Sequence, residues 1–132
     1  VASKNHVTLG ISGGFMQVCH GKRAPQARVK AGDKVVYYSP KTSLKNGRAC
    51  KEFTAIGEVI SEDPYPFDMG GGFVPFHKDV RFYDAHAVSI YKIIDQLTLT
   101  QEKHWGYQLR FGLINISEQD FQLIQSAMCI TH

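Results

Sequence analysis

The sequence predicts a single α+β domain, and three observations carry that prediction. Short segments rich in β-branched and aromatic residues recur between glycine, proline and asparagine turns, which is the chemistry of strands. Helical signals are fewer and short: a serine-capped start, one basic segment, turns near Leu97 and Thr100, and an amphipathic run near the C-terminus. The chain has 132 residues, 43% of them hydrophobic, which suits one ordinary core across residues 1–132.

Val1-Ala2 reads as the tail of a first strand. Ser3 is the predicted N-cap of a short helix entered through Asn5, His6 and Val7. Gly13 and Gly14 permit positive φ and close backbone approach. Phe15, Gln17 and His20 then place one flat ring and two hydrogen-bonding heads on a bulged or irregular segment. Ala24–Lys30 reads as a short helix with Pro25 in its first turn, ended by Gly32-Asp33. Lys34–Ser39 reads as a strand, stopped by Pro40. Lys41–Lys51 has no hydrophobic period and reads as a loop turning at Asn46-Gly47.

Phe53–Ile60 is the next predicted strand, with Gly57 a bulge or close-approach position. Glu62–Gly72 reads as loop. Phe73–Tyr83 is a long strand region in which Pro75 favours an edge or bulge. His77 there, and His86 beyond it, read as surface or satisfied histidines. Ala87–Tyr91 is a shorter strand leading into a helical turn through Leu97, and Thr100 is expected to cap a further turn up to Trp105. Tyr107–Ile116 reads as a strand. Ser117 caps the last helix, with Asp120 completing a near capping box. Phe121, Ile124 and Met128 fall on one face of that helix, the face expected to be buried.

The net charge of +3 conceals an asymmetry. Residues 1–51 hold ten Lys/Arg and the single acid Asp33, whereas residues 52–132 hold five Lys/Arg and eleven Asp/Glu. A first half at +9 against a second at −6 points to a polyanionic partner for the first. No apolar run approaches the ~18–20 residues of a membrane span, and no signal-peptide layout is visible. Three cysteines, Cys19, Cys50 and Cys129, are too few and too scattered for a disulfide framework, so a reduced cytoplasmic setting is expected.

Cys19-His20 invites a nucleophile–base pair or a metal site. Adjacent strand residues point to opposite faces, and no CxxC or HxxxH spacing occurs. Cys19 is therefore read as a small core residue, and no metal, cofactor or catalytic residue is expected.

The run GGFMQVCHGK, followed by GDKVVYYSPK and FTAIGEV, resembles the EVE domain of the PUA-like superfamily. SKNHV at Ser3–Val7 and WGYQLRFGLINISEQDF at Trp105–Phe121 fit the same family, so the resemblance runs from Ser3 to about Met128. It implies a small twisted β-barrel of about five to six strands flanked by short helices, and binding of modified bases in nucleic acid. Members carry a few more residues ahead of this point, including a tryptophan that this chain lacks.

The leading expectation is a monomeric, non-catalytic reader of a modified base, such as 5-methylcytosine in DNA. One nucleotide would leave the duplex and stack on an aromatic ring. The ring would be Phe15 or one of Tyr37 and Tyr38, since strand alternation lets only one of those tyrosines face a pocket. Gln17, His20 and Ser39 would read the base edge, with Trp105 and Phe111 as further candidate walls. Ser3, His6, Gly13 and Gly14 lie beside the pocket in this reading, His6 tying the helix to the barrel or, as the alternative, hydrogen-bonding a base or phosphate. Lys22, Arg23, Lys41, Lys45, Arg48 and Lys51 would hold phosphates. Two other classes compete. One is an RNA-binding PUA-like module, separable by titration with matched DNA and RNA. The other is an amidohydrolase like the ASCH relatives, which would need a carboxylate such as Glu58 to reach the site.

Overall fold

The computed structural model describes residues 1–17, 28–42, 47–61, 63–67, 74–101, 105–109 and 113–129. The α+β class holds, and six strands pair antiparallel throughout. Helix α1 is Lys4–Gly13, followed by β1 (Phe15–Met16), β2 (Lys34–Lys41), β3 (Ala49–Val59), β4 (Tyr65–Pro66), β5 (Phe76–Phe82) and β6 (Val88–Ser89). A 3-10 turn at Ile90–Lys92, helix α2 (Trp105–Gln108) and helix α3 (Glu118–Met128) complete the order. The path β1–β5–β3–β2 forms the sheet, with β4 on β5 and β6 on β3. Among the described residues this path is open and is not closed into a barrel.

The opening has a local cause. Tyr107–Ile116, expected as a strand, instead begins inside α2 and continues through 113–117 without strand pairing. Its apolar residues satisfy their burial differently: Leu109 is buried and Ile114 and Ile116 pack against the core around Tyr38, Phe53 and Ile124, as does Trp105 just before the stretch. Side-chain packing overrode β propensity. Residues 110–112 of that stretch, and 24–27 of the predicted basic helix, lie outside the described residues; Arg28 and Val29 form turn and bend.

Other boundaries shift for identifiable reasons. Pro40 does not stop β2, because the register slips between Ser39 and Lys41. A proline lacks the N–H for a ladder bond, and an edge-strand bulge does not require one. The strand β3 starts at Ala49, inside the expected loop, and β4 forms within the expected 62–72 loop. Gly57 is a close-approach site: a Cβ there would lie 2.5 Å from the Arg81 carbonyl oxygen of β5. The Thr100 hydroxyl donates back to the carbonyls of Leu97 and Ile94, and residues 102–104 of the turn it was expected to cap lie outside the described residues.

Both serine caps form as read. The Ser3 and Ser117 hydroxyls accept from the amides of His6 and Asp120. The Asp120 carboxylate, however, does not reach back to Ser117. It accepts from the Thr98 amide and hydroxyl and the Leu99 amide, fastening α3 to the 98–99 turn. Burial pushes its pKa up, but these three bonds outweigh burial and hold the carboxyl below its ordinary value.

The core divides in two. Tyr38, Phe53, Ile56, Ile90, Leu97, Ile124 and Met128 belong to the part beneath α3. Val7, Met16, Val29, Tyr37, Val59 and Val80 form the part beneath α1. Strand alternation sends Tyr37 and Tyr38, neighbours in sequence, into different parts. Among the described residues no helix is long and apolar enough to cross a membrane.

Candidate nucleic-acid interface

Helix α1 ends at Gly14, whose φ of 69° lets its N–H turn back to the Gly10 and Ile11 carbonyls. The chain therefore passes straight from the helix into β1. There Phe15 sits opposite Asp79 of β5, and on the other side of β5 Tyr65 of β4 sits opposite His77. Three strands thus bring Phe15, His77 and Phe67 together at one edge of the sheet. The Phe15 and His77 rings stack at 3.9 Å and 8°, Phe67 and His77 at 5.0 Å and 19°, and Phe15 and Phe67 at 5.9 Å and 26°. His77 is fully buried, whereas Phe67 is 44% exposed, so this cluster has an outer aromatic surface. Gly13 makes room for it: a Cβ there would fall 2.3 Å from the Phe15 ring.

A polar network runs beneath the rings. The Gln17 side-chain oxygen lies 2.7 Å from His77 Nε2. With the amide so placed, His77 carries its proton on Nε2 and leaves Nδ1 as an acceptor. That Nδ1 is buried and has no partner among the described residues. Burial lowers the His77 pKa, nearby His6 lowers it further, and Asp79 opposes them without prevailing, so the ring is neutral near pH 7. The Gln17 carbonyl is 2.8 Å from His6 Nε2, and its N–H donates to the Tyr37 hydroxyl at 3.3 Å. Burial holds the Tyr37 phenol far above its ordinary pKa, so it stays protonated. Tyr65 donates to Asp79 at 2.6 Å, and burial with that carboxylate pushes its phenol up to about 12.

Of the residues singled out from sequence, Phe15, Gln17 and His6 meet here, with Ser3, Gly13 and Gly14 shaping α1 around them. His20 and Phe111 lie outside the described residues. Phe15 and Gln17 were expected to share a concavity with Tyr37 or Tyr38, and the geometry differs. A cavity of about 580 Å³ is lined by Met16, Tyr37 and Tyr38 but by neither Phe15 nor Gln17. Its lining includes each residue from Asp33 to Tyr38, which places it along the backbone of β2, between the two parts of the core. Tyr37 joins the two regions: it lines the cavity, and its hydroxyl accepts from the Gln17 N–H. Ser39 is fully buried and bonded to the Thr54 hydroxyl at 2.7 Å, so it faces neither region's opening. Trp105 is half-buried against the core around Tyr38.

Three participants escaped sequence reading: His77, Phe67 and Tyr65. In FHKDVRF the alternation puts His77 and Asp79 on one face, but only the β1–β5 register reveals that this face meets Phe15.

Lys4, Lys41, Arg48 and Lys51 gather at one end of the sheet, whereas Lys34 lies at the other, paired with Glu58. Thr42 and Arg48 close the base of the β2–β3 hairpin through Thr42 N to Arg48 O (3.0 Å) and Arg48 N to the Thr42 hydroxyl (3.1 Å). The Asn5 amide donates to the Thr42 carbonyl and ties this hairpin to the start of α1. Lys41, Arg48 and Lys51 are exposed there. Lys22, Arg23 and Lys45 lie outside the described residues.

Comparison with known proteins is decisive on ancestry. The EVE domain matches residues 2–127. The chain belongs to the EVE domain family. It is 51% identical over 131 residues to the UPF0310 protein msl3206 of Mesorhizobium japonicum, covering 97% of this chain and 88% of that protein. It is 43% identical over 129 residues to the UPF0310 protein YdcG of Bacillus subtilis, with the same coverage. A UPF0310 protein of Streptococcus sanguinis is 39% identical over 128 residues, covering 97% and 89%. These names carry no activity. The EVE domain, a PUA-like fold, suggests nucleic-acid binding and nothing finer.

Proposed function

We propose that this EVE domain is a non-catalytic reader of a modified base in nucleic acid, with modified cytosine in DNA as the preferred target. The extruded base stacks on the outer surface of the Phe15–Phe67–His77 cluster, and Gln17, held by His77, His6 and Tyr37, sets the hydrogen-bonding edge. The observation that carries this reading is the part-exposed aromatic cluster joined directly to a buried polar network. Rings give affinity for every base, and fixed hydrogen-bonding heads give choice. A recognition role also fits a His77 that is neutral and partnered by an amide.

The magnitudes divide the labour. Stacking contributes ~1–3 kcal/mol per base, whichever base it is. One buried methyl adds ~0.8 kcal/mol, roughly a fourfold preference. Leaving a buried donor or acceptor unpaired costs ~1–3 kcal/mol, so rejection of the wrong base rests on the polar network.

The test is a panel of otherwise identical DNA and RNA oligonucleotides, single- and double-stranded, each carrying one cytosine, 5-methylcytosine or thymine. Phe15→Ala should weaken all of them alike. Gln17→Ala should relax discrimination among bases. Equal losses across the panel for Gln17→Ala would remove it as an edge reader. Turnover of a modified nucleoside under the same conditions would make the protein an enzyme.

A further inference from the structure

We infer that Tyr91 and the lysines around it form a second nucleic-acid contact, a stacking platform for another nucleotide of the bound strand. This rests on the nucleic-acid reading above but uses different residues. Tyr91 lies in the 3-10 turn after β6, and β6 pairs with β3 at Glu52 and Phe53. The first residues of β3 therefore lie between β2 and this turn. Tyr91 is 55% exposed, unusual for a ring that could pack against the neighbouring core.

Its surroundings are cationic. The Lys51 Nζ donates to the Tyr91 hydroxyl at 3.2 Å and stands 5.7 Å from the ring centroid. Being so much nearer the hydroxyl, the ammonium sits off the phenol's edge and does not cover a ring face. Lys51 is also the non-glycine residue with positive φ among the described residues, at 53°. It falls where two residues of β3, Cys50 and Lys51, face Pro40 alone on β2. Bulges of this kind re-aim side chains, and here the re-aimed chain is the one that reaches Tyr91. Lys92 follows in the turn and acts electrostatically on Glu52, as does Lys4, whose Nζ is 3.3 Å from that carboxylate. Lys41 pairs with Ala49 at the same end. The patch thus brings Lys4 and Lys92 to one carboxylate and Lys51 to a half-exposed ring, with Lys41 nearby on β2.

The charge calls for a polyanion, and the bare ring selects the kind. Asp and Glu side chains have carboxylates for the lysines but no aromatic face to lay on Tyr91. A nucleic-acid strand has both, with phosphates for the lysines and a base for the phenol. A truncated stacking residue costs roughly five- to hundredfold in affinity at ~1–3 kcal/mol per base.

The experiment measures equilibrium binding of wild type, Tyr91→Ala and Tyr91→Phe. The probes are a twelve-nucleotide DNA bearing one 5-methylcytosine, the same DNA without it, and 5-methyldeoxycytidine monophosphate alone, with polyglutamate as a competitor. Thermal unfolding of each variant checks the fold. Tyr91→Ala should lose roughly five- to hundredfold on both oligonucleotides and nothing on the mononucleotide, and Tyr91→Phe should stay within about twofold of wild type. Wild-type binding that Tyr91→Ala leaves unchanged overturns this platform while leaving the base-reading proposal standing. Failure of wild type to bind any oligonucleotide overturns both. An equal loss on the mononucleotide would place Tyr91 in the base pocket, and displacement of DNA by polyglutamate at matched charge would give the surface to an acidic protein; either result overturns the proposal.

Discussion

His77 is the residue on which the site's chemistry turns. It is fully buried, stacked against two phenylalanines and bonded to Gln17 through one nitrogen. Its pKa is lowered in the folded protein, by burial first and then by His6. The folded state therefore binds fewer protons than the unfolded chain around and below pH 6.5. It follows that His77 costs no stability above the unfolded value and progressively more as pH falls through that value toward the lower folded one. Chemical denaturation between pH 7.5 and 5 should show stability falling with acidity, and the slope should be shallower in His77→Gln, whatever that variant's absolute stability. An identical slope would mean that the ring takes up its proton in the folded state. Sequence gave no hint of this residue's place. A histidine between Phe76 and Lys78 looks like a surface position until the β1–β5 register sets it against Phe15.

At the scale of elements, the junction of α1 and β1 decides whether the aromatic cluster exists. Gly13 lies against the Phe15 ring, and Gly14 supplies the left-handed cap that turns the chain. Gly13→Ala would put a methyl where that ring now sits, so the ring must move off His77. The expected outcome is a loss of base affinity comparable to Phe15→Ala, about 1–3 kcal/mol, with α1 retained, since alanine favours a helix. Binding titrations with far-ultraviolet circular dichroism check both halves. Asp120 makes a separate case at the other end. Three hydrogen bonds to a largely buried carboxylate join α3 to the 98–99 turn. Asp120→Ala should cost on the order of 1.5–3 kcal/mol of stability and leave binding intact. Because this carboxyl's pKa is lowered, its contribution is present above the unfolded value and lost as pH falls through the folded one. Both serine caps, the strand at Lys34 and the buried face of α3 were legible because local chemistry dictates them. The 107–116 stretch was not, because its Leu and Ile residues suit a strand and a packed coil equally, and only the core they meet decides between them.

For the whole molecule, the basic first half resolves into a place. Lys4, Lys41, Arg48 and Lys51 converge because α1 is tied to the β2–β3 hairpin through Asn5 and Thr42. The charge count in sequence pointed to a polyanion, but not to four cations clustered at one end of the sheet or aromatic rings along one edge. Binding should weaken with salt, log K falling by roughly 0.9 per duplex phosphate neutralised. Replacing Lys41 and Arg48 by alanine should flatten that slope by up to about two such increments and weaken modified and plain DNA equally. A change in selectivity would make the hairpin a reader of bases.

The central claim is that a base sits on the Phe15, Phe67 and His77 rings, and not in the cavity along β2. The most direct measurement is nuclear magnetic resonance of the aromatic and histidine side chains during titration with an oligonucleotide carrying one 5-methylcytosine. Stacking of a base shifts the resonances of the ring beneath it. The account predicts large shifts at Phe15, Phe67, His77 and the Gln17 side-chain amide, with Tyr38 and Phe53 little changed. Shifts concentrated at Tyr38, Phe53 and the 113–116 segment, with the Phe15 cluster silent, would contradict it.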